Sequence, residues 1–244
     1  MNQPIAIQSW CYRHFKTIPA FIEQLKATGV SASEICALHG NFTDASTFAG
    51  TIDQYKKAGV QLVAIGVERM TGDASKDKPK FEFCKAAGIK HMSITFGPEA
   101  MFDALKNVDK LAEQYDMRLG IHNHGGYDWL GNSVILRHIF KNTSKRIGLH
   151  LDTAWAIDAK QDPIKMTEEF ADRMHGVHVK DFVYDRARNF EDVIVGTGNL
   201  DLPKFMQTLK KINFTGPIVI EYEADEENPV PALKKCVEAL RKVM

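Results

Sequence analysis

Short apolar runs alternate along this chain with longer stretches whose apolar positions recur at helical spacing. Three segments, QLKATGVSASEICAL, QYKKAGVQLVAIGV and FCKAAGIKHMSITFG, share one cadence: a Lys-bearing helix end, a glycine (Gly29, Gly59 or Gly88), then a brief apolar run. A glycine just past a helix and just before a strand is a helix C-terminal cap, so each segment predicts a helix-to-strand junction. The same order continues, without clear glycine caps, through AEQYDMRLGIHNH, TSKRIGLHLDTAW and DRMHGVHVKDF, and a glycine returns in KKINFTGPIVIEYE. With IAIQSW at the start, the pattern predicts strands near 5–9, 33–38, 61–67, 91–96, 118–124, 147–152, 176–180 and 217–222. Most are separated by roughly 30 residues, the length of one strand-helix unit.

Eight such units predict an α/β fold, a closed (β/α)8 barrel forming a single domain over residues 1–244. The rival, an open doubly wound sheet that binds a nucleotide, needs a Gly-x-Gly-x-x-Gly turn after the first strand, and CYRHF stands there instead. GTG at 196–198 falls between late elements, where a lone Gly-x-Gly carries little information. The long connection between the seventh and eighth strands is expected to place a loop or lid around 182–200 over the barrel mouth.

Composition narrows the partners. Lys plus Arg and Asp plus Glu balance at 31 each, which argues against nucleic acid and against a polybasic membrane surface. Cys11, Cys36, Cys84 and Cys236 are widely spaced and read as reduced core thiols. There is no apolar run of about 18 residues and no basic start leading into an apolar signal core. A cytoplasmic location is expected, or a periplasmic one if a leader has been removed.

In a parallel barrel, reactive side chains project from the C-terminal ends of the strands. The fifth strand finishes in His122-Asn123-His124, the sixth in His150-Leu151-Asp152, the seventh in His178-Val179-Lys180-Asp181 and the eighth in Glu221-Tyr222-Glu223. Residues two apart share a face of a strand, so four inward-facing pairs converge. One His, one Asp, one His and one Glu make a nitrogen and oxygen donor set suited to a single divalent ion. Trp10, Glu34, His39 and Trp155 are expected to bind substrate at the mouth, which Glu68 is expected to line with them; Glu34 and Glu68 have the alternative of serving as ion-pair partners of Lys or Arg. His150 is expected to orient Asp152 from one layer below, and Asp181 to orient a neighbouring loop. His14, His91, His138 and His175 read as structural.

The chain resembles the sugar isomerase/epimerase superfamily with a xylose isomerase-like TIM barrel. The likeness is carried by HNHGG at 122–126, GLHLDTAW at 148–155 followed by DP at 162–163, DRMHGVHVKDF at 172–182, GTGNLDLPKFMQTLKKINFTG at 196–216 and IVIEYE at 218–223. The resemblance implies one divalent metal (Mn, Co, Zn, Mg or Fe) held by His122, Asp152, His178 and Glu221. Many relatives read E-N-H-G-G where this chain has H-N-H-G-G, so one carboxylate of the two-base pair used by ketose epimerases is replaced by imidazole.

The function expected is metal-dependent isomerisation or epimerisation of a ketose or keto-sugar through an enediolate. Glu221 would act as acid and base, His124 as an alternative base, and Lys180 would stabilise oxyanion charge or orient substrate. Two alternatives stand beside it. One is a lyase performing β-elimination on a keto-sugar or 3-keto-glycoside; the other is an inactive sugar-binding barrel. A small carbohydrate is the expected partner, and a homo-oligomer is compatible with such barrels.

Overall fold

The computed structural model describes residues 3–244 of the protein. Its barrel strands are β1 (Ile5–Gln8), β2 (Ala32–Ile35), β3 (Gln61–Arg69), β4 (His91–Thr95), β5 (Arg118–His122), β6 (Ile147–Asp152) and β7 (Met174–Val179). Two further strands, β8 (Asp181–Tyr184) and β9 (Phe190–Val193), form a separate antiparallel ribbon, and β10 (Ile218–Ile220) closes the ring between β7 and β1. All eight pairings around the ring are parallel, giving the (β/α)8 barrel that the repeating cadence predicts.

Around it lie α1 (Ile18–Ala27), α2 (Ala45–Lys57), α3 (Ala74–Ala87), α4 (Met101–Tyr115), α5 (Ser133–Lys141), α6 (Thr153–Asp158), α7 (Pro163–Glu169), α8 (Leu202–Lys211) and α9 (Val230–Arg241). Helix starts are fixed by side-chain oxygens that accept otherwise unpaired backbone N–H groups, as Thr17, Asp44, Asp73, Asp162 and Asp201 do. After α1, α2 and α3, the chain turns at Gly29, Gly59 and Gly88 with φ of 78°, 66° and 73°, a left-handed conformation that favours glycine.

Strand alternation separates two apolar regions. Ile7, Ile218 and Ile220 point outward into the large core shared with the helices, whereas Ala6, Ala32 and Val219 form a small cluster of their own inside the barrel. Two residues further along the same faces, Gln8 and Glu34 lie side by side in register, and Glu221 follows Val219. The barrel is therefore apolar and narrow below, and polar toward the C-terminal ends of the strands.

The connection expected to hold a loop around 182–200 contains the β8–β9 ribbon. Phe182 and Phe190 stack across it with ring centroids 4.4 Å apart, and Asp185 closes its turn by accepting a hydrogen bond from Asn189 N at 2.9 Å. Asp181 accepts hydrogen bonds from the backbone N–H groups of Gly196, Gly198 and Leu200, which binds the following loop to the base of the ribbon. Among the described residues, no helix is long and apolar enough to cross a membrane.

Candidate metal centre and active site

Local contacts fix the ends of two of the four site-bearing strands. On β5, Asn123 turns sideways to β6, donating to Asp152 O at 3.0 Å and accepting from Asp152 N at 2.8 Å, which fixes the strand end between His122 and His124. Asp152 ends β6 and caps α6, where one carboxylate oxygen accepts from Trp155 N at 2.9 Å and the other has no hydrogen-bond partner among the described residues. His150, lower on β6, faces inward through space left by glycines on both flanks: a Cβ at Gly120 would lie 2.6 Å from His150 Cβ, and one at Gly176 2.3 Å from its Nδ1.

At this end of the barrel four side chains come together. His122, Asp152, His178 and Glu221 are all buried, and one donor atom from each lies within 4.8 Å of every other. His122 Nε2 is 3.6 Å from Asp152 Oδ2; His178 Nδ1 is 4.0 Å from that oxygen and 3.2 Å from Glu221 Oε2. His122 Nε2, Asp152 Oδ2 and His178 Nδ1 are buried without a hydrogen-bond partner among the described residues. A buried polar atom left unpaired costs about 1–3 kcal/mol, and here three such atoms face one another. Two donors bound at about 2.0–2.2 Å to a tetrahedral ion stand roughly 3.3–3.6 Å apart, so the donor chemistry and spacing fit a divalent cation.

The electrostatics run in the same direction. Burial favours the neutral form of Glu221, but Lys180 and His178 overcome it and hold the carboxyl well below its usual range. For His178, burial would lower the pKa, and Glu221 and Glu34 on its two sides raise it instead. His124 is lowered by burial and by His122, and its ring stacks on Trp155 at 3.9 Å.

Above the cluster opens a cavity of about 630 Å³, lined by Trp10, Glu68, His122, His124, Trp155, Glu221 and Glu223, among others. A larger cleft, of about 1390 Å³, lies outside the barrel between α4 and α5 and touches none of the four clustered residues. Trp10 and Trp155 line this cavity. Glu68 also lines the cavity and pairs with Lys80 at 3.4 Å.

Three expected site residues are placed differently. His39 is fully buried away from the cavity: Nε2 lies 2.9 Å from Phe15 O, and the ring stacks on Phe21 at 4.5 Å. Glu34 is also fully buried; it sits beneath the cluster between His178 and His150, at 3.3 and 3.6 Å, and among the described residues pairs with neither Lys nor Arg. Lys180 is 1% exposed and stands behind the carboxylates, contacting Glu223, Asp192 at 3.4 Å and Glu221 at 3.6 Å, so it does not face the cavity. His150 turns to Glu34 rather than to Asp152.

Two residues were not singled out by the sequence pattern. Glu223 lines the cavity and accepts a hydrogen bond from Trp10 Nε1 at 3.1 Å; it shares a face with Glu221, and that pairing was its only sequence signal. Asp192, on β9, accepts from Glu223 N at 3.0 Å and is pushed up to about 7 by burial. It comes from a segment with no strand-end signature.

Comparison with known proteins places this geometry in a family. The model of the xylose isomerase-like TIM barrel family matches residues 15–243. Rhizopine catabolism protein MocC of Rhizobium meliloti is 25% identical over 147 residues, 54% of this chain and 45% of that protein. An inosose dehydratase of Bacillus velezensis is 22% identical over 223 residues, 84% of this chain and 71% of that protein. The chain spans about half the length of most of the curated relatives it matches. Among solved structures, that of IOLI protein with a bound zinc atom superposes with a TM-score of 0.81 at 14% identity, covering 99% of both chains, a likeness of fold. The chain belongs to the xylose isomerase-like TIM barrel family.

Proposed function

We propose that the protein is a divalent-metal-dependent sugar isomerase or epimerase acting on a ketose or keto-sugar derivative. The observation that carries this reading is the set of three unpartnered buried donor atoms, with Glu221 beside them, at the floor of an open cavity. His122, Asp152, His178 and Glu221 would hold the ion. Such a cation supplies Lewis acidity, drawing charge from a keto oxygen and so acidifying the neighbouring C–H.

The remaining work falls to the chain's own groups. Glu221, held ionised by Lys180 and His178, accepts the proton and returns it. His124 lines the cavity from the β5 side, and its lowered pKa keeps the imidazole neutral at pH 7, so it is the second base. Lys180 acts from behind, keeping negative charge on Glu221 and pairing with Glu223 rather than touching substrate. Trp10 and Trp155 give the cavity aromatic surfaces suited to the apolar face of a sugar ring. The β8–β9 ribbon, packed on Trp155 through Phe182 and Phe190 at 4.9 and 5.0 Å, serves as the cover of the mouth.

A second reading, β-elimination from a keto-sugar, is favoured by His122, an imidazole at the position where the family resemblance implies a carboxylate in two-base epimerases. The inosose dehydratase relative points the same way. Incubating metal-loaded protein with ketoses and 3-keto-glycosides in D₂O separates the outcomes. Deuterium in an intact sugar supports the isomerase or epimerase; an unsaturated product or released aglycone supports the lyase; binding without exchange refutes both and leaves a sugar-binding barrel.

A further inference from the structure

Below the four clustered residues lies a buried polar layer, of which Gln8 and Gly66 border the cavity while Glu34 and Ser93 lie beneath it. Glu34, 0% exposed, directs Oε1 at three groups: Ser93 Oγ donates to it at 2.6 Å, Gln8 Nε2 donates at 3.0 Å, and His178 Nε2 lies at 3.3 Å. Gln8 is itself fixed, because the same amide nitrogen donates to Gly66 O at 3.1 Å. Glycine at 66 makes room for this packing; a Cβ there would lie 1.8 Å from Ser93 Oγ. Oε2 of Glu34 faces His150 Nε2 at 3.6 Å, and the His150 ring is itself wedged against Gly176.

We propose that Glu34 is a positioning residue that fixes the ring tautomer of His178, and that Gln8, Ser93 and Gly66 exist in this arrangement to hold Glu34 in place. A neutral imidazole carries one N–H. Carboxylate oxygens face both nitrogens, Glu221 Oε2 at 3.2 Å from Nδ1 and Glu34 Oε1 at 3.3 Å from Nε2, and an ionised carboxylate only accepts; with a cation held beside Glu221, the single proton belongs on Nε2, toward Glu34. Nδ1 then presents its lone pair to the space bounded by Asp152 and Glu221, the form in which imidazole binds a cation. The opposite tautomer would set the Nε2 lone pair against Glu34 Oε1. The proposal rests on the metal-binding reading above and extends it to a residue on β2, on the opposite side of the barrel interior.

Co²⁺ titration against a competing chelator, with spectra of the Co²⁺ ligand-field bands, tests it. Wild type should take up one ion per chain. Glu34→Gln, close in shape but uncharged, should bind Co²⁺ about 10–100-fold more weakly, still one ion per chain, with shifted bands. Ser93→Ala, which removes one of the donors to Glu34, should weaken binding by a smaller factor. A loss of thermal stability with unchanged Co²⁺ affinity and bands would assign Glu34 a merely structural role and overturn the proposal.

A measurement on wild type decides the matter even if Glu34→Gln does not fold. In Zn²⁺-loaded protein carrying ¹⁵N-histidine, with His178 assigned by its loss in His178→Gln, the ring should carry its proton on Nε2 and bind zinc through Nδ1. Zinc on Nε2 would overturn the proposal. So would two ions per wild-type chain falling to one in Glu34→Gln, since Glu34 would then be a ligand itself. No metal uptake by wild type would instead refute the metal reading, whereas uptake with unchanged affinity in Glu34→Gln refutes only the role of Glu34.

Discussion

Gly176→Ala adds one methyl group at the place where the barrel leaves room for His150, and its effect can be worked from distances. Gly176 is not among the glycines with left-handed φ, so alanine suits the backbone there, and by itself the change stabilises by about 0.4–1 kcal/mol through the unfolded chain. Against that, the new Cβ would stand 2.3 Å from His150 Nδ1 and 2.6 Å from its Cε1. The ring has little room to retreat, since it is 2% exposed, its own backbone abuts Gly120, and His178 packs edge-on at 4.4 Å. Overpacking of this kind costs about 1–3 kcal/mol, so destabilisation wins. At about 2–4 °C per kcal/mol for a domain of this size, the melting temperature should fall by several degrees. Gly50→Ala, in the middle of α2 with nothing within 4 Å of the new Cβ, is the control and should stabilise by about 0.5–1 kcal/mol. Urea unfolding of both variants checks the pair. Equal, stabilising effects would refute the claim that His150 is held in a close-packed slot.

Asp152→Asn keeps an oxygen to cap α6 and loses the charge of the free oxygen. It should cut Zn²⁺ affinity by more than about 100-fold, beyond the range of residues that only support a ligand, with little change in the apo melting temperature, as equilibrium dialysis and calorimetry would show. Lys180→Met leaves Glu221, Glu223 and Asp192 facing one another without their shared cation; urea unfolding should register a loss of about 3–5 kcal/mol. At the other end of the barrel, burial lowers His91 and His175 to about 4. The unfolded chain then binds protons below pH 6.5 that the folded chain refuses until near pH 4, so stability is lost as pH falls through that window, by roughly 2 kcal/mol per ring between about pH 7 and 5. His175→Gln retains a donor for Lys145 O and should remove about one ring's share of that loss; an unchanged pH slope in urea unfolding would contradict the assignment.

Much of this architecture was legible in the chain, and the reasons differ by residue. The spacing of apolar runs and the glycines at 29, 59 and 88 suffice for the barrel because each marks a local event, the end of a helix. Period-two alternation likewise puts His122, Asp152, His178 and Glu221 on inward faces. Alternation gives the face of a strand but not the depth at which a side chain comes to rest. Glu34 accordingly lies under the cluster, and Lys180 stands behind the carboxylates rather than where it would stabilise oxyanion charge or orient substrate. His39 shows a different limit: its place is set by a stack on Phe21 and a contact with Phe15 O, partners brought near by a turn that no strand period encodes. The β8–β9 ribbon escaped notice because its strands, DFVY and FEDV, are four residues each and pair only with each other.

The most direct test of the whole account is the anomalous scattering of a crystal grown with Zn²⁺. One strong peak should lie within about 2.0–2.2 Å of His122 Nε2, Asp152 Oδ2, His178 Nδ1 and a Glu221 oxygen. Full occupancy elsewhere, or density showing those four groups bonded only to one another, would contradict it.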